Sequence, residues 1–252
     1  MKILVTAKRV TDPDSKIQIK PDRSGLNLES CDFKMNPFCE IAVEEALRII
    51  DAVGDGETVA VAIGDSDATK EIRTAMAMGC DRGILVVADE TKLDSDAVAR
   101  LLVAIVQREK PDLVLLGKQA IDGDSNQVGQ LLAEYLGWPQ ATFAYKIALT
   151  GDQKGATIQR EVDGGVETVS VSFPAVITTD LRLNEPRYAS LPGIMKAKKK
   201  PLQELSAGDL GVDLALKVES LGFEPPASRK AGVKVKTVDE LLEKLATEAK
   251  AI

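Results

Sequence analysis

Residues 113–136 read LVLLGKQAIDGDSNQVGQLLAEYL: an apolar run, a polar loop with glycines, and a segment with spaced apolar residues. The apolar run at 113–116 is typical of a short buried strand, and the spacing at 127–136 is that of an amphipathic helix. A strand that leads into a helix is the repeating unit of a parallel sheet, because the helix returns the chain across one face. This stretch therefore predicts an α/β fold.

The first two-thirds of the chain repeat this alternation. The predicted strands are rich in Val, Ile and Leu and lie at 2–7, 58–63, 83–87 and 113–116. The predicted helices are amphipathic and lie at 37–50, 68–78, 95–109 and 127–136. Residues 9–35 are long for a plain connection, and their alternation at 16–20 predicts a small hairpin or excursion. We expect a parallel sheet with crossover helices on its faces.

The last third of the chain has a different pattern. Two alternating runs, 156–162 and 166–173, flank a compact turn signal and predict a hairpin, and 175–178 fits a further strand. After residue 200 the chain has little pattern until a charged amphipathic helix at 238–249. We predict an α/β domain over 1–200 and a C-terminal arm over 201–252 that lies against another subunit.

Polar residues mark several helix starts. The candidates to cap a helix are Asn36, Asp67 and Ser95. Pro37 suits a first helical position, where the missing amide proton is harmless. Glu44 and Glu45 are neighbours in the first helix and point in different directions, so we interpret them as a solvated edge.

Composition excludes several classes of function. The 252 residues include no histidine, which excludes serine–histidine and cysteine–histidine nucleophiles and the usual zinc sites. A net charge of −7 argues against nucleic-acid binding, and no apolar run is long enough to cross a bilayer. Three scattered cysteines and an N-terminus without signal-peptide features are typical of a soluble intracellular protein. We expect no enzyme, but a function based on binding, on backbone groups or on a cofactor.

The loop at 117–130 leaves a strand and enters a helix, which is where open parallel sheets bind ligands. Its glycines, which let backbone amides close on an anion, are Gly117, Gly123 and Gly129. Its candidate donors to phosphate oxygens are Ser125, Asn126 and Gln127. The spacing matches neither a Walker loop nor Gly-x-Gly-x-x-Gly. On spacing alone, a phosphate site and a plain polar turn both stay open.

Residues 179–200 read TDLRLNEPRYASLPGIMKAKKK. Pro186 and Pro192 disfavour both strand and helix, so we predict a loop. Its apolar side chains are Tyr188, Leu191, Ile194 and Met195, and its basic ones are Arg182, Arg187, Lys196, Lys198, Lys199 and Lys200. The segment is either a solvated basic loop or a docking loop with an apolar tip and a basic rim.

Residues 180–198, DLRLNEPRYASLPGIMKAK, resemble the signature of the electron transfer flavoprotein beta subunit family. The resemblance continues in KRV at 8–10, MNPFCEIAVEEA at 35–46, IRTAMAMG at 72–79, LGKQAID at 116–122 and EVDGG at 161–165. It covers nearly the whole chain and implies an adenine-nucleotide-binding α/β sandwich, in agreement with the order of strands and helices.

The resemblance also implies ligands and partners. This subunit would bind AMP, FAD would belong to an alpha subunit in an obligate heterodimer, and the C-terminal arm would pack on that subunit. The residues that match the AMP contacts are Thr6, Asn36, Pro37, Phe38, Cys39, Ile63, Gly117, Lys118, Gln119, Ala120, Ile121, Asp122, Gly123, Asp124, Ser125, Asn126, Gln127 and Val128.

A recognition loop is the second implied feature. The residues that match it are Arg187, Tyr188, Ala189, Ser190, Leu191, Pro192, Gly193, Ile194, Met195 and Lys196. In the family, the leucine matched by Leu191 inserts into an apolar pocket of an acyl-CoA dehydrogenase or a related flavoprotein dehydrogenase. The electrons would pass to FAD and then to a membrane quinone oxidoreductase.

Two alternatives stay open. Mitochondrial-type members usually carry threonine where this chain has Val128, and Gln-Val here is similar to relatives that hold a second FAD in the beta subunit and bifurcate electrons. A nucleotide-sensing, stress-type α/β protein would explain the glycine loop but not the apolar-tipped loop. The resemblance implies a location in the bacterial cytoplasm or the mitochondrial matrix, without membrane insertion.

Overall fold

The structure is a computed structural model that describes residues 1–29, 31–228 and 231–252. Its strands are β1 (Lys2–Thr6), β2 (Arg9–Thr11), β3 (Gln18–Ile19), β4 (Leu26–Asn27), β5 (Phe33–Met35), β6 (Glu57–Gly64), β7 (Arg82–Val87), β8 (Leu113–Gly117), β9 (Gln140–Leu149), β10 (Gly155–Val162), β11 (Gly165–Ser172), β12 (Ala175–Thr179) and β13 (Leu202–Ser206). Its helices are α1 (Pro37–Val53), α2 (Thr69–Met78), α3 (Ser95–Glu109), α4 (Val128–Leu136), α5 (Leu191–Ala197) and α6 (Val238–Thr247).

A mostly parallel sheet forms the centre of the fold. Among the described residues it has nine strands, in the order β11-β10-β9-β12-β8-β1-β6-β7-β13. All neighbours from β9 to β13 in that order are parallel, and β9, β10 and β11 form an antiparallel edge. The predicted parallel sheet, crossover helices and hairpin are therefore confirmed. Strands β9 and β13, and helix α5, are additions that the sequence analysis does not predict.

Hydrophobic cores lie on both faces of the sheet. In β1, Ile3 and Val5 belong to a buried cluster with residues of α1 and α2, while Leu4 between them belongs to a cluster with residues of α3 and α4. Successive side chains of a strand point to opposite faces, so a central strand buried on both sides is a continuous apolar run. This explains why the apolar runs predict the central parallel strands β1, β6, β7, β8 and β12 correctly.

The strand order reverses at β1. The chain runs from β1 outward to β6 and β7, then returns to β8 on the other side of β1. Beyond the carboxyl ends of β1 and β8 the connections therefore diverge, which opens a crevice of the kind where such sheets bind ligands. We call this region the switch crevice.

All three predicted helix caps differ from what the structure has. Asp94, not Ser95, caps α3, because its carboxylate accepts a hydrogen bond from the Ala97 amide at 2.8 Å. Asp67 does not cap α2, which follows directly from a short 3-10 turn capped by Asp65. Pro37 occupies the first turn of α1 as predicted, but the Asn36 side chain makes no cap hydrogen bond.

A second compact unit combines residues Gln18–Asn27 with Leu221–Ile252. The Phe223 amide donates to the Arg23 carbonyl at 3.0 Å, and Arg23 forms an ion pair with Glu224 at 2.7 Å. Thr237 caps α6, whose Leu241 and Leu242 side chains are exposed. In the part of the chain that the structure describes, no helix is both long and apolar enough to span a membrane.

Candidate functional site

Asn36 joins the two sides of the switch crevice. Its side chain is only 1% exposed, and Nδ2 donates to the Gln119 carbonyl at 2.8 Å. Its Oδ1 accepts a hydrogen bond from the Ile121 amide at 3.2 Å. The Asn36 amide in turn donates to the Lys8 carbonyl at 2.8 Å. The residue predicted to cap α1 instead fixes the loop after β8 against the start of that helix.

The carboxyl ends of β8 and β12 lie tightly against the start of α1. A Cβ at Gly117 would lie 2.5 Å from the Phe38 Cβ, so only glycine fits this position. The Thr179 hydroxyl donates to the Phe38 carbonyl at 3.0 Å, and Thr6 Oγ1 lies 3.5 Å from Cys39 Sγ. These contacts bring together candidate residues from three separate parts of the sequence.

The loop between β8 and α4 is a compact turn. The amides of Gly123 and Asp124 both donate to the Ala120 carbonyl, and Gln119 Nε2 donates to Asp124 Oδ1 at 2.7 Å. Asp124 and Asn126 have positive φ values of 48° and 49°, a conformation that Asn and Asp tolerate better than most residues. Turns that contain residues with positive φ can form backbone nests that bind anions through their amides.

The first turn of α4 keeps polar groups available. Gln127 is the residue at the N-terminal cap position of α4, but its side chain makes no cap hydrogen bond. The first amides of the helix therefore have no side-chain acceptor from the cap residue. Gln130 Nε2 donates to Asn126 Oδ1 at 3.1 Å, while the buried Gln130 Oε1 has no partner among the described residues. The uncapped helix start fits an anionic group such as a nucleotide phosphate, whereas Gln130 Oε1 is an acceptor and suits a hydrogen-bond donor of a ligand, such as a hydroxyl group.

Two charged pairs border the switch crevice. Lys8 forms an ion pair with Asp122 across its mouth. Lys118 does not point freely into it, because Nζ donates to Asp180 Oδ2 at 2.7 Å. Burial alone would raise the pKa of Asp180, but Lys118 and Arg182 hold it below its ordinary value. The charge of Lys118 at the edge of the site is therefore neutralised by Asp180.

The remaining candidates differ in their position. Ile63 lies in β6, next to β1, and packs with the cluster on the α3 and α4 face, so backbone contact is its available role. Lys8, Thr179 and Gln130 are site neighbours that the sequence analysis did not select as ligands. Lys8 and Thr179 lie at the carboxyl ends of parallel strands, which is the signal that could have identified them.

Two open depressions lie at the opposite end of the sheet. Their volumes are about 430 and 380 Å³, and both are lined by Asp112 and Pro174, which precede β8 and β12. No predicted ligand residue lines either one. Because open α/β sheets bind at the carboxyl ends of their strands, we place the candidate site in the switch crevice.

Residues 180–190 are fixed to α1 by two buried acids. Arg187 Nε donates to Glu44 Oε2 at 2.7 Å, and Asn184 Nδ2 donates to Glu45 Oε2 at 2.9 Å. Glu44 and Glu45 are 3% and 8% exposed, so their interpretation as a solvated edge is wrong. Both acids face the loop, which covers that side of the helix.

The pKa values of the two acids are shifted in opposite directions. Burial would raise the pKa of Glu44, but hydrogen bonds from Arg187 and Arg48 outweigh it and hold the pKa below its ordinary value. Burial raises the pKa of Glu45, which the single hydrogen bond from Asn184 does not offset. Glu44 is thus the charged anchor of the loop, and Glu45 is an acid that burial shifts toward its neutral form.

The predicted loop contains a short helix, α5. Ser190 caps it by accepting a hydrogen bond from the Gly193 amide at 3.1 Å, and Pro192 lies in the first turn, where proline is tolerated. The exposed fractions of Tyr188, Leu191 and Met195 are 98%, 75% and 58%. The apolar side chains therefore project from an ordered helix and from the residues just before it.

Several basic residues of this segment have internal partners. Arg182 pairs with Glu161 and Asp180, and Lys200 donates to three carbonyls at the end of α2. Lys196, Lys198 and Lys199 are exposed. The basic rim is consequently smaller than the sequence suggests.

Comparisons with known proteins agree with this architecture. A family profile described as electron transfer flavoprotein domain matches residues 26–210. The mitochondrial electron transfer flavoprotein subunit beta of Arabidopsis thaliana is 53% identical over 252 residues, with 100% of both chains covered. Electron transfer flavoprotein subunit beta of Bradyrhizobium diazoefficiens is 55% identical over 99% of both chains, and that of Homo sapiens is 51% identical over 97% of this chain and 96% of its own. The chain belongs to the electron transfer flavoprotein family, among its beta subunits.

Proposed function

We propose that this chain binds a structural AMP in the switch crevice and docks flavoprotein dehydrogenases through the surface around Leu191. The arrangement of the switch crevice carries the proposal: residues distant in sequence meet there around Asn36, beside an uncapped helix start. The names of the relatives support a role in electron transfer by a flavoprotein.

The phosphate of AMP would bind at the first turn of α4. The amides from Ser125 to Val128 are the donors, and Asn126 holds the turn by accepting from Gln130. The remainder of the nucleotide would lie against the ends of β1 and β6, where Thr6 and Ile63 offer backbone groups. AMP has no redox chemistry, so its role is to fill and stabilise the switch crevice.

Electron transfer requires a cofactor outside this chain. In the proposal FAD belongs to an alpha subunit, where it accepts electrons from an acyl-CoA or related dehydrogenase and delivers them to a quinone oxidoreductase. This chain contributes no catalytic side chain; it anchors the dehydrogenase while the partner subunit carries the flavin. We also propose the bacterial cytoplasm or mitochondrial matrix as its location and the C-terminal residues as part of the alpha-subunit contact.

The nucleotide content of the purified heterodimer tests this function. We expect one FAD and one AMP per heterodimer after release by denaturation and separation by chromatography. FAD without AMP would contradict the AMP proposal. Two FAD molecules and reaction with a nicotinamide nucleotide would instead indicate the electron-bifurcating type.

Leu191→Ala is expected to weaken docking of the dehydrogenase by about 1–3 kcal/mol, the scale of a leucine buried at an interface. The Leu191 side chain is 75% exposed, so the stability of the heterodimer should change little. The measurement is flavin reduction at increasing concentrations of heterodimer, with Leu28→Ala, at an exposed leucine outside the loop, as control. Equal rates for Leu191→Ala and the unmodified protein would show that Leu191 does not dock.

Asn126→Gly is expected to lower AMP occupancy and the stability of the heterodimer without affecting docking directly. Glycine keeps the positive φ of this position, so the loss reports the missing amide rather than backbone strain. Gln153→Gly, at an exposed position with a φ of 58°, is the matched backbone control. Full AMP content in Asn126→Gly would show that the Asn126 side chain does not contribute to AMP binding.

A further inference from the structure

Helix α5 is too short to be stable alone. It has seven residues, whereas isolated helices need roughly 12–15 residues to be even marginally stable in water. Its largest side chains also project into solvent rather than into the core: Leu191, Ile194 and Met195 are 75%, 42% and 58% exposed. Contacts with the rest of the fold must therefore hold it.

The contact surface between α5 and α2 is small and close. Ala197 is the buried residue of α5, at 2% exposed. A Cβ at Gly193 would lie 2.7 Å from the Ala77 carbonyl oxygen, so the two helices approach to backbone distance. Such a surface buries little apolar area, and polar contacts have to supply much of the orientation.

Those polar contacts are reciprocal. Arg73, on α2, donates from Nη1 to the Ala197 carbonyl at 2.6 Å and to the Lys200 carbonyl at 2.8 Å. Lys200, just after α5, donates from Nζ to the carbonyls of Met76 at 3.1 Å and Gly79 at 3.0 Å, and also to that of Cys80. The carbonyls at the end of α5 thus bind Arg73 of α2, and the carbonyls at the end of α2 bind Lys200, which follows α5.

The chemistry of helix ends explains why this arrangement is effective. The last carbonyls of a helix lack partners within it and carry partial negative charge, so cations there are favourable. Both ends are satisfied by side chains that are themselves partly buried, which limits screening by solvent. The two cations fix the position and the direction of α5 relative to α2.

We propose that Arg73 and Lys200 are positioning residues for docking: they hold α5 so that Leu191 and its neighbours are presented in the orientation that the dehydrogenase binds. The inference rests on the proposed docking function. Neither residue contacts the partner in this scheme; both act through the main chain of the docking helix. An ordered docking helix lowers the entropy lost on binding, which strengthens a small interface.

The test uses the heterodimer carrying Arg73→Met, which keeps most of the apolar stem and removes the guanidinium. We expect hydrogen exchange of the amides at 194–200 to accelerate about tenfold or more, with no change in α3. The KM for the heterodimer, measured with a substrate-reduced acyl-CoA dehydrogenase, should rise about three- to tenfold at constant kcat. Lys200→Met should act in the same direction, Arg73→Lys should be intermediate, and Arg108→Met, at an exposed arginine of α3, is the control.

The outcomes separate the two proposals. Unchanged exchange at 194–200 in both methionine variants would overturn the positioning role. Faster exchange with an unchanged KM, while Leu191→Ala raises the KM, would also overturn it and would leave docking intact. If Leu191→Ala and both methionine variants all leave the KM unchanged, docking itself is wrong and the positioning role fails with it.

Discussion

Asn36→Ala is expected to lower the free energy of unfolding by about 3 kcal/mol and to remove AMP from the heterodimer. The substitution deletes the hydrogen bonds to the Gln119 carbonyl and from the Ile121 amide. Each group left without a partner in a partly buried site costs about 1–3 kcal/mol, and a small cavity adds to the loss. Chemical denaturation at fixed protein concentration, together with nucleotide analysis, measures both effects.

Added AMP provides the decisive control for Asn36→Ala. If the loop after β8 binds the nucleotide, a large excess of AMP should recover part of the lost stability, because a ligand that binds only the folded state stabilises it by mass action. Gln107→Ala removes an exposed amide on α3 and should change the stability by less than about 0.5 kcal/mol. A loss below about 1 kcal/mol in Asn36→Ala would show that the Asn36 hydrogen bonds to the loop after β8 contribute little to the free energy of unfolding.

The sequence predicts the parallel core well because burial on both faces produces continuous apolar runs. The same rule explains what it misses. Strand β13, LQELS, lies at the edge of the sheet beside β7, and most of its side chains are exposed, so it has no apolar run. Helix α5 is too short for a helical period and contains a proline, and it depends on contacts with α2 more than 100 residues earlier in the chain. Tertiary contacts, rather than local sequence patterns, therefore specify the edge strand β13 and the short helix α5.

The site follows the same division. Spacing located the loop at 117–130, because glycines and polar residues between a strand and a helix are a local signal. The prediction that the Asn36 side chain caps α1 is wrong, because its partners Gln119 and Ile121 are 83 and 85 residues away. The interpretation of Glu44 and Glu45 as a solvated edge fails for a related reason: adjacent helical positions usually diverge, but the loop at 180–190 covers both side chains. Local patterns predict where a ligand could bind, while buried polar contacts over long sequence distances decide how the site is held.

Glu44→Gln is expected to destabilise the protein at pH 7 by about 2 kcal/mol and to release residues 180–190 from α1. Breaking a buried ion pair typically costs about 3–5 kcal/mol, but Arg187 and Arg48 are 38% and 48% exposed, so solvent screening reduces the loss. Limited proteolysis of the loop and denaturation across pH 3.5–8 measure the change. The KM for the dehydrogenase should rise as well, because residues 180–190 lead directly into α5.

The dependence on pH distinguishes Glu44 from its neighbour. The folded-state pKa of Glu44 is depressed, so its contribution is present above the unfolded pKa of about 4.3 and is lost as the pH falls through the folded value. The deficit of Glu44→Gln should therefore shrink in acid. The folded-state pKa of Glu45 is raised, so its contribution is present at low pH and is lost as the pH rises. Glu45→Gln, the matched control, should be neutral or slightly stabilising at pH 7, since glutamine still accepts from Asn184. Equal losses in the two variants at pH 7 would contradict the assignment of Glu44 as the charged anchor.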